Sequence, residues 1–560
     1  MNWIQNFTPI AGNLFLSALC ALIPSLYFFW ALAIKRMKGY AAGLSTLAIA
    51  LFISVIVYKM PVLPAVMSAT QGAIYGILPI GWIIIMSVFL YKLTVKTGDF
   101  GIIRNSILLL TEDSRLQALL VAFSFGAFLE GCAGFGAPVA ITAALLAGLG
   151  FNPLYAAGIC LLANTAPVAF GSIGIPVIAV EGATGVPAMD ISQMIGRQLP
   201  LLSLFIPLYL VVIIAGFKKA AEVLPAILVC GVSFAATQFI TSNFLGPELP
   251  DILSSLVSLV SLTILLKFWK PKHIFTFRSQ AEKEAAPALE AEKKKYTRAQ
   301  VFKAWSPYLI LTIFISIWGI PQVKLALTGV YNGSNLFLNG LNTIGKVLTF
   351  ALPVPWLHNK VIDSAGKPIP ALYKLEVLGA AGTAILAAAI AAKFVLGVSW
   401  KNWIATFGDT MKELRLPLLT IIAVVAFAYV TNASGMATTL GMAMAKSGVL
   451  FAFFSPVLGW LGVFITGSDT SSNLLFGGLQ KVTASSLDMN PVVAIAANSS
   501  GGVTGKMISP QSIAVACAAA GMAGKESELF RFTIKHSLLL LLAVCLITYI
   551  QSAFFPWIIP

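Results

Sequence analysis

The chain has 560 residues, of which 58% are hydrophobic and only 10% charged, with a mean hydropathy of +0.90; a soluble globular protein carries roughly 25% charged residues. That composition excludes a soluble enzyme or binding module as the main body. The net charge of +15 does not point to nucleic acid either, because basic residues in short loops orient membrane helices.

A bilayer core takes roughly 20 consecutive apolar residues per helix, and such windows recur along the whole chain. The first, Gly12 to Ile34, follows "MNWIQNFTPIAGN", which has no basic n-region or small-residue cleavage pattern, so it reads as a retained span. Tyr40 to Val57 and Ala65 to Leu90 follow. Leu116 to Gly150 is apolar but interrupted by "EGCAGFGAP". It is too broken for one helix and too short for two spans, which predicts a hairpin that enters and leaves on one side; such backbone is tolerated only inside protein or beside water. The next spans are Pro153 to Val180, Gln198 to Phe217, Val223 to Ile240, Ile252 to Phe268, Phe302 to Ile320, Ala371 to Leu396 and Leu416 to Val430. A second interrupted segment, Phe451 to Ser486, carries "TGSDTSSN" and predicts a second hairpin; Pro491 to Ala520 and Ser537 to Trp557 close the set. The expected fold is an all-α polytopic membrane protein of about 12 transmembrane helices plus two re-entrant hairpins.

The loops orient this arrangement. Lys35, Arg36 and Lys38, then Lys92, Lys96, Arg104 and Arg115, then Lys218 and Lys219, and finally Lys267, Lys270 and Lys272 all fall on one side, which the positive-inside rule makes cytoplasmic. Opposite loops such as "EGATGVPAMD" and "TSNFLGPELPD" are poor in Lys and Arg, so both termini are expected outside. The outer loop from Pro321 to Pro370, with Lys324, Lys346, Lys360 and Lys367, weakens the rule locally. The run from Ala281 to Gln300 reads as a solvated, partly helical connector.

The chain also resembles itself. "GFNPLYAAGICLLANTAPVAFGSIGIPVIAV" and "DMNPVVAIAANSSGGVTGKMISPQSIAVA" share Asn-Pro, a small apolar run, Ala-Asn with a hydroxyl residue, and a glycine-containing stretch ending in proline. Asn164 and Asn498, like Pro176 and Pro510, stand 334 residues apart (498−164 and 510−176), and Gly131 and Gly467 of the hairpins stand 336 apart (467−131). Seven full spans separate the hairpins, an odd number, so the second unit is inverted relative to the first. The expected division is a first repeat over residues 1–217 (hairpin 116–150, broken helix 153–180), linking helices and the charged linker over 218–301, and a second repeat over 302–560 (hairpin 451–486, broken helix 491–520). Inverted repeats with broken helices mark secondary transporters, with the binding site near the midplane where the breaks meet.

Ionisable residues inside that core cost several kcal/mol unless paired or hydrated, and three stand out: Glu130 before the first hairpin's turn, Asp469 in the second hairpin's turn, and Lys506. A carboxyl in a low-dielectric cleft can gain and lose a proton near neutral pH, which makes Glu130 and Asp469 candidates for proton coupling; the plainer alternative is an acid that caps a half-helix. Lys506, with the half-helix N-terminus after Pro510 and the backbone N–H groups of Ser499 to Gly505, would form a cationic niche for a small carboxylate. The alternative is an internal ion pair with Asp469 or Glu130. Neutral contacts are expected from Asn164, Thr165 and Ser172 at the first break and from Gly134, Gly136, Ser468, Asn498, Ser499, Ser500, Gly501 and Thr504, the glycines allowing close backbone approach.

Other signals are set aside. "GGVTGKM" departs from a phosphate-binding loop, with Met507 where Ser or Thr must hold magnesium. His273, His358 and His536 form no cluster, and the six cysteines (Cys20, Cys132, Cys160, Cys230, Cys517 and Cys545) lack metal or disulfide spacing, so no metal, cofactor or disulfide is expected.

"FLEGCAGFGAPVAITAALL", "ANTAPVAFGSIGIP", "TGSDTSSNLLFG" and "ANSSGGVTGKMISPQSIAVACAAAG" resemble the signature segments of the bacterial lactate permease family, the L-lactate and glycolate permeases, over essentially the whole chain. Cys132 stands where a small residue such as alanine is expected after "EG". The resemblance implies a cytoplasmic-membrane symporter that takes up L-lactate, D-lactate or glycolate with a proton, within a superfamily of inverted-repeat transporters that often move as elevators. One cation for a carboxylate and neutral groups for a hydroxyl suit a 2-hydroxymonocarboxylate. Sodium coupling is the alternative transporter reading, and a membrane receptor or scaffold the alternative class; an intramembrane enzyme is disfavoured because no nucleophile with a base is visible.

Overall fold

A computed structural model of the chain describes residues 2–560 except 36, 109, 135, 278–295, 363–366 and 523. Arg36 and the charged connector as far as Lys295 therefore lie outside the described residues. Helices run in the order α1 (Leu14–Phe29), α2 (Gly39–Ile56), α3 (Val62–Tyr75), α4 (Trp82–Lys96), α5 (Asp99–Leu108), α6 (Ser114–Cys132), α7 (Ala137–Gly148), α8 (Pro153–Ala163), α9 (Gly171–Thr184), α10 (Ala188–Ala221), α11 (Leu224–Phe244) and α12 (Pro250–Phe268). The second half contains α13 (Arg298–Gly319), α14 (Pro321–Leu327), α15 (Leu336–Leu348), α16 (Ala381–Leu396), α17 (Trp400–Ser434), α18 (Met436–Met444), α19 (Phe451–Thr466), α20 (Asp469–Ser486), α21 (Pro491–Lys506), α22 (Pro510–Ala519) and α23 (Glu526–Phe554). Among the described residues 11 helices are long and apolar enough to cross a membrane, or up to 12 if α8 and the bent stretch after it count as one span.

Local chemistry sets the starts of the two interrupted helices. Asn152 accepts from the Leu154 N–H at 3.0 Å and Asn490 from the Val492 N–H at 2.9 Å, each followed by proline in the first helical turn, where the missing donor costs nothing and the side-chain cap satisfies an orphan N–H. Asn13 caps α1 in the same way.

The interior is built around α6, whose residues are buried throughout. Its Phe123 packs on Phe234 of α11, and its Phe128 on Trp305 and Tyr308 of α13. Outer helices such as α1, α2 and α23 instead leave Phe15, Phe52 and Leu539 exposed, as a hydrocarbon solvent requires. Small residues bring α19 and α21 together: a Cβ at Gly459 would overlap the Asn498 carbonyl, and one at Gly501 would overlap the Pro456 carbonyl.

Four expectations are corrected. Ala371 to Leu396 is not one span: Leu372–Glu376 is a strand paired antiparallel with Thr349–Pro353, and the helix starts at Ala381. Together with the parallel pair Trp3–Ile4 and Val361–Ile362 these are short strands in a fold that is otherwise helical, as expected. The span expected at Leu416 to Val430 is the apolar half of α17, which starts at Trp400; Lys401, Asp409, Lys412, Glu413 and Arg415 hid its first half from an apolar window. Arg115, counted among loop charges, is fully buried. Finally, the second interruption is shifted. Ser499 to Gly505 are helical, so their N–H groups lie inside α21 and not in an unwound loop, and the break is confined to Met507–Ser509.

Candidate functional site

Two helix–turn–helix units and two interrupted helices meet around a cavity of about 520 Å³. The first turn, between α6 and α7, holds Gly134 at φ +58° and Gly136 at φ +85°, a left-handed backbone that glycine adopts at little cost. The second turn is Gly467–Ser468, where the Ser468 hydroxyl accepts from the Ser471 N–H at 3.2 Å and caps α20. The first interrupted helix breaks after Ala163 and bends by 60°. It continues through Ser172, Ile173 and Gly174, all with positive φ, and non-glycine residues there carry roughly 1–2 kcal/mol of strain each. A hydrogen bond from the Ser172 hydroxyl to the Ala133 carbonyl, at 3.1 Å, ties that strained segment to the first turn.

At the cavity wall Lys506, in the last turn of α21, donates to Glu130 Oε1 of α6 at 2.8 Å. Both side chains are almost wholly buried, at 8% and 3% exposure. Of the two alternatives for Lys506, the open niche and the ion pair, the pair is what the geometry contains. Glu130 is held close: a Cβ on Gly171 would stand 2.8 Å from Oε1. Its other oxygen, Oε2, has no protein partner, nor does Asp469 Oδ1. Asp469 Oδ2 receives a long 3.5 Å contact from Asn473, and the Ser499 hydroxyl is a further hydrogen-bond partner of the Asp469 carboxyl. Gly502 gives Asp469 its room, since a Cβ there would overlap Oδ1.

Of the residues singled out in the sequence, Glu130, Gly136, Ser172, Ser468, Asp469 and Lys506 line this cavity. The others do not. Asn498 bridges Ser472 (2.8 Å) and Gln480 (2.7 Å); Ser499 accepts from Asn473 at 2.5 Å; Ser500 donates to Gln198 at 2.6 Å; Thr504 turns back to the Gly501 carbonyl at 2.7 Å. Gly501 is pressed against α19 and Gly134 against Ser172. Asn164 and Thr165 are buried behind the wall, with Asn164 Nδ2 and Thr165 Oγ1 unpartnered.

The cavity adds Thr470, Ser471, Gln511 and Ser512. Gln511 and Ser512 occupy the first turn of α22, capped by Ser509; the half-helix start after Pro510 was the signal, and its side chains were overlooked in favour of its dipole. Asp251 was also missed. It lies in the first turn of α12, 1% exposed, with neither carboxyl oxygen partnered, and its Cβ lies 2.8 Å from where a Cβ of Gly131, next to Glu130, would stand. Pro250 at the first helical position would have placed it in a helix and not in a loop. Among the described residues no three His, Cys, Asp or Glu could share a metal ion.

A small, partly polar cavity among apolar helices, with two lysines, Lys38 and Lys506, and two carboxyls, Glu130 and Asp469, on its wall, is the site of a membrane permease. Residues 17–555 match the family model described as L-lactate permease. The chain is 68% identical to the L-lactate permease of Bacillus subtilis (strain 168), with all of both chains covered, and 51% identical to the glycolate permease GlcA of Escherichia coli (strain K12), with 99% of each covered. A solved structure of MtrF from Neisseria gonorrhoeae, described among antimetabolite efflux pumps, overlaps 87% of this chain and 83% of its own at a TM-score of 0.47 and 12% identity. The chain belongs to the L-lactate permease family: it is a multi-pass membrane transporter and not an enzyme.

Proposed function

We propose that this permease takes up small 2-hydroxymonocarboxylates, L-lactate, D-lactate or glycolate, across the cytoplasmic membrane together with a proton. The Lys506–Glu130 pair at 2.8 Å on the cavity wall carries the reading. One ammonium serves one carboxylate well, and an incoming substrate carboxylate competes with Glu130 for it. Once displaced, an ionised Glu130 would be unpaired where an uncompensated charge costs several kcal/mol, so it binds a proton from cavity water. Release of substrate returns Lys506 to Glu130 and expels that proton. Substrate anion and proton thus enter and leave the site together.

The lactate and glycolate named for the relatives suit this arrangement. Lys506 holds the carboxylate, and Ser172, Ser468, Gln511 and Ser512 offer neutral partners for the 2-hydroxyl. A tricarboxylate would need more positive charge than the wall's two lysines, Lys38 and Lys506, supply. The cavity also reaches Lys38, Tyr40 and Leu416, which border the basic loop after α1 and the charged half of α17; with basic loops cytoplasmic, it opens inward and both termini lie outside. Residues 1–217 and 302–560 are taken as inverted repeats, and the matched hairpins as the moving element of an elevator.

The test is labelled lactate uptake into proteoliposomes under imposed pH or sodium gradients. Accumulation that follows ΔpH and ignores sodium is expected; uptake indifferent to ΔpH, or driven by sodium, contradicts proton coupling.

A further inference from the structure

Asp251 is a buried acid beside the site that the transport scheme leaves without work. It is 1% exposed, neither oxygen has a hydrogen-bond partner, and it packs beside Gly131, the neighbour of Glu130. It does not line the cavity, whereas Glu130, Asp469 and Lys506 do.

The ionisable groups near it are Glu130 and Cys132 on α6 and Lys506 on α21. α11 adds only Cys230, and Glu181 lies ten residues beyond Gly171 on α9, at the far end of that helix. Lys506 is already committed to Glu130. Two carboxylates on one ammonium would leave a net negative charge in a low-dielectric interior, and like-charged carboxyls do not both ionise there. The N-terminal dipole of α12 favours an anion by roughly 0.3–1 kcal/mol. That is too little against the several kcal/mol needed to bury a carboxylate with no donor.

We propose that Asp251 is a resident acid that stays protonated throughout the transport cycle, so that proton exchange is confined to the cavity-facing carboxyls Glu130 and Asp469. Asp251 binds neither the substrate nor the transported proton. It keeps the wall behind the Lys506–Glu130 pair neutral, so Lys506 has a single competitor for the substrate carboxylate. This rests on the proton-coupled reading above.

Infrared difference spectroscopy on the full-length protein in bilayers, with 13C-labelled aspartate, tests it directly. The substrate-free wild type should show a protonated-aspartate C=O band that persists at neutral pH, does not move when lactate is added, disappears in D251N and shifts in D251E. No protonated-aspartate band in the wild type, or an Asp251 band that lactate abolishes, overturns the proposal, and absence of any such band does so even where the variants fold poorly. In proteoliposomes D251N should retain ΔpH-driven accumulation and counterflow within about threefold of wild type; intact counterflow with lost accumulation would make Asp251 the transported-proton carrier and overturn the proposal. Wild-type uptake indifferent to ΔpH would instead sink the parent reading, while the infrared band would still report the state of Asp251.

Discussion

Two buried cations of this chain are treated in opposite ways. Arg115, at the base of the first hairpin, uses all five of its N–H donors: Nε and one terminal nitrogen bind Asp113 at 3.0 and 2.7 Å, and the remaining bonds reach Glu222 and the carbonyls of Lys219 and His273. It thereby clamps α6 to the end of α10 and to the segment after α12. Lys506 is bound to a single carboxylate oxygen, and the acids around it keep Glu130 Oε2 and Asp469 Oδ1 unpartnered. The clamp is saturated and has one arrangement; the cavity pair is unsaturated and has partners to exchange. Burial of an ion pair does not separate architecture from function here; the spare hydrogen-bonding capacity does.

Substitutions sharpen that contrast, and the largest effect falls on the clamp. Arg115→Gln leaves the buried Asp113 carboxylate without its charge partner, holding only the Arg115 and Phe275 backbone N–H groups, and should lower stability by about 3–5 kcal/mol, read as a fall in the thermal midpoint and in folded yield; any protein that folds should bind lactate with unchanged affinity. Lys506→Gln should do the reverse. It should cut lactate uptake at least about 100-fold, roughly 2.7 kcal/mol, with a thermal midpoint near wild type because Glu130 can take a proton; normal affinity would make Lys506 a second clamp. Glu130→Gln should leave counterflow within about tenfold of wild type while abolishing ΔpH-driven accumulation, and wild-type accumulation would remove Glu130 from coupling. Ser172→Ala removes one bond to Ala133 and should cost about 1 kcal/mol, a shift of a few degrees with small changes in transport.

Much of the fold was legible because the bilayer writes it into composition. Asn-Pro starts, most apolar windows and the glycine-rich turns fell where expected, and Glu130, Asp469 and Lys506 converged on one cavity. What failed did so for physical reasons. Glycines and hydroxyls in "SSGGVTGK" suggested unwound backbone, but they serve close packing of α21 on α19 and α20, with Ser499 and Ser500 bonded to neighbouring helices. The unwinding occupies the next three residues, Met507–Ser509, before Pro510. In "AFGSIGIP", by contrast, Ser172, Ile173 and Gly174 do leave the helix, so similar segments hide different backbones. Asp251 escaped because its neighbours Glu248 and Pro250 look like a loop, and only tertiary packing brings it behind Glu130.

The competition of substrate and Glu130 for Lys506 is tested most directly by proton uptake on binding. Adding lactate to the purified protein in weakly buffered medium near neutral pH should alkalinise that medium in the wild type and leave it unchanged in Glu130→Gln, which still binds substrate. Lactate binding without proton uptake by the wild type, or equal uptake by the variant, would contradict the account.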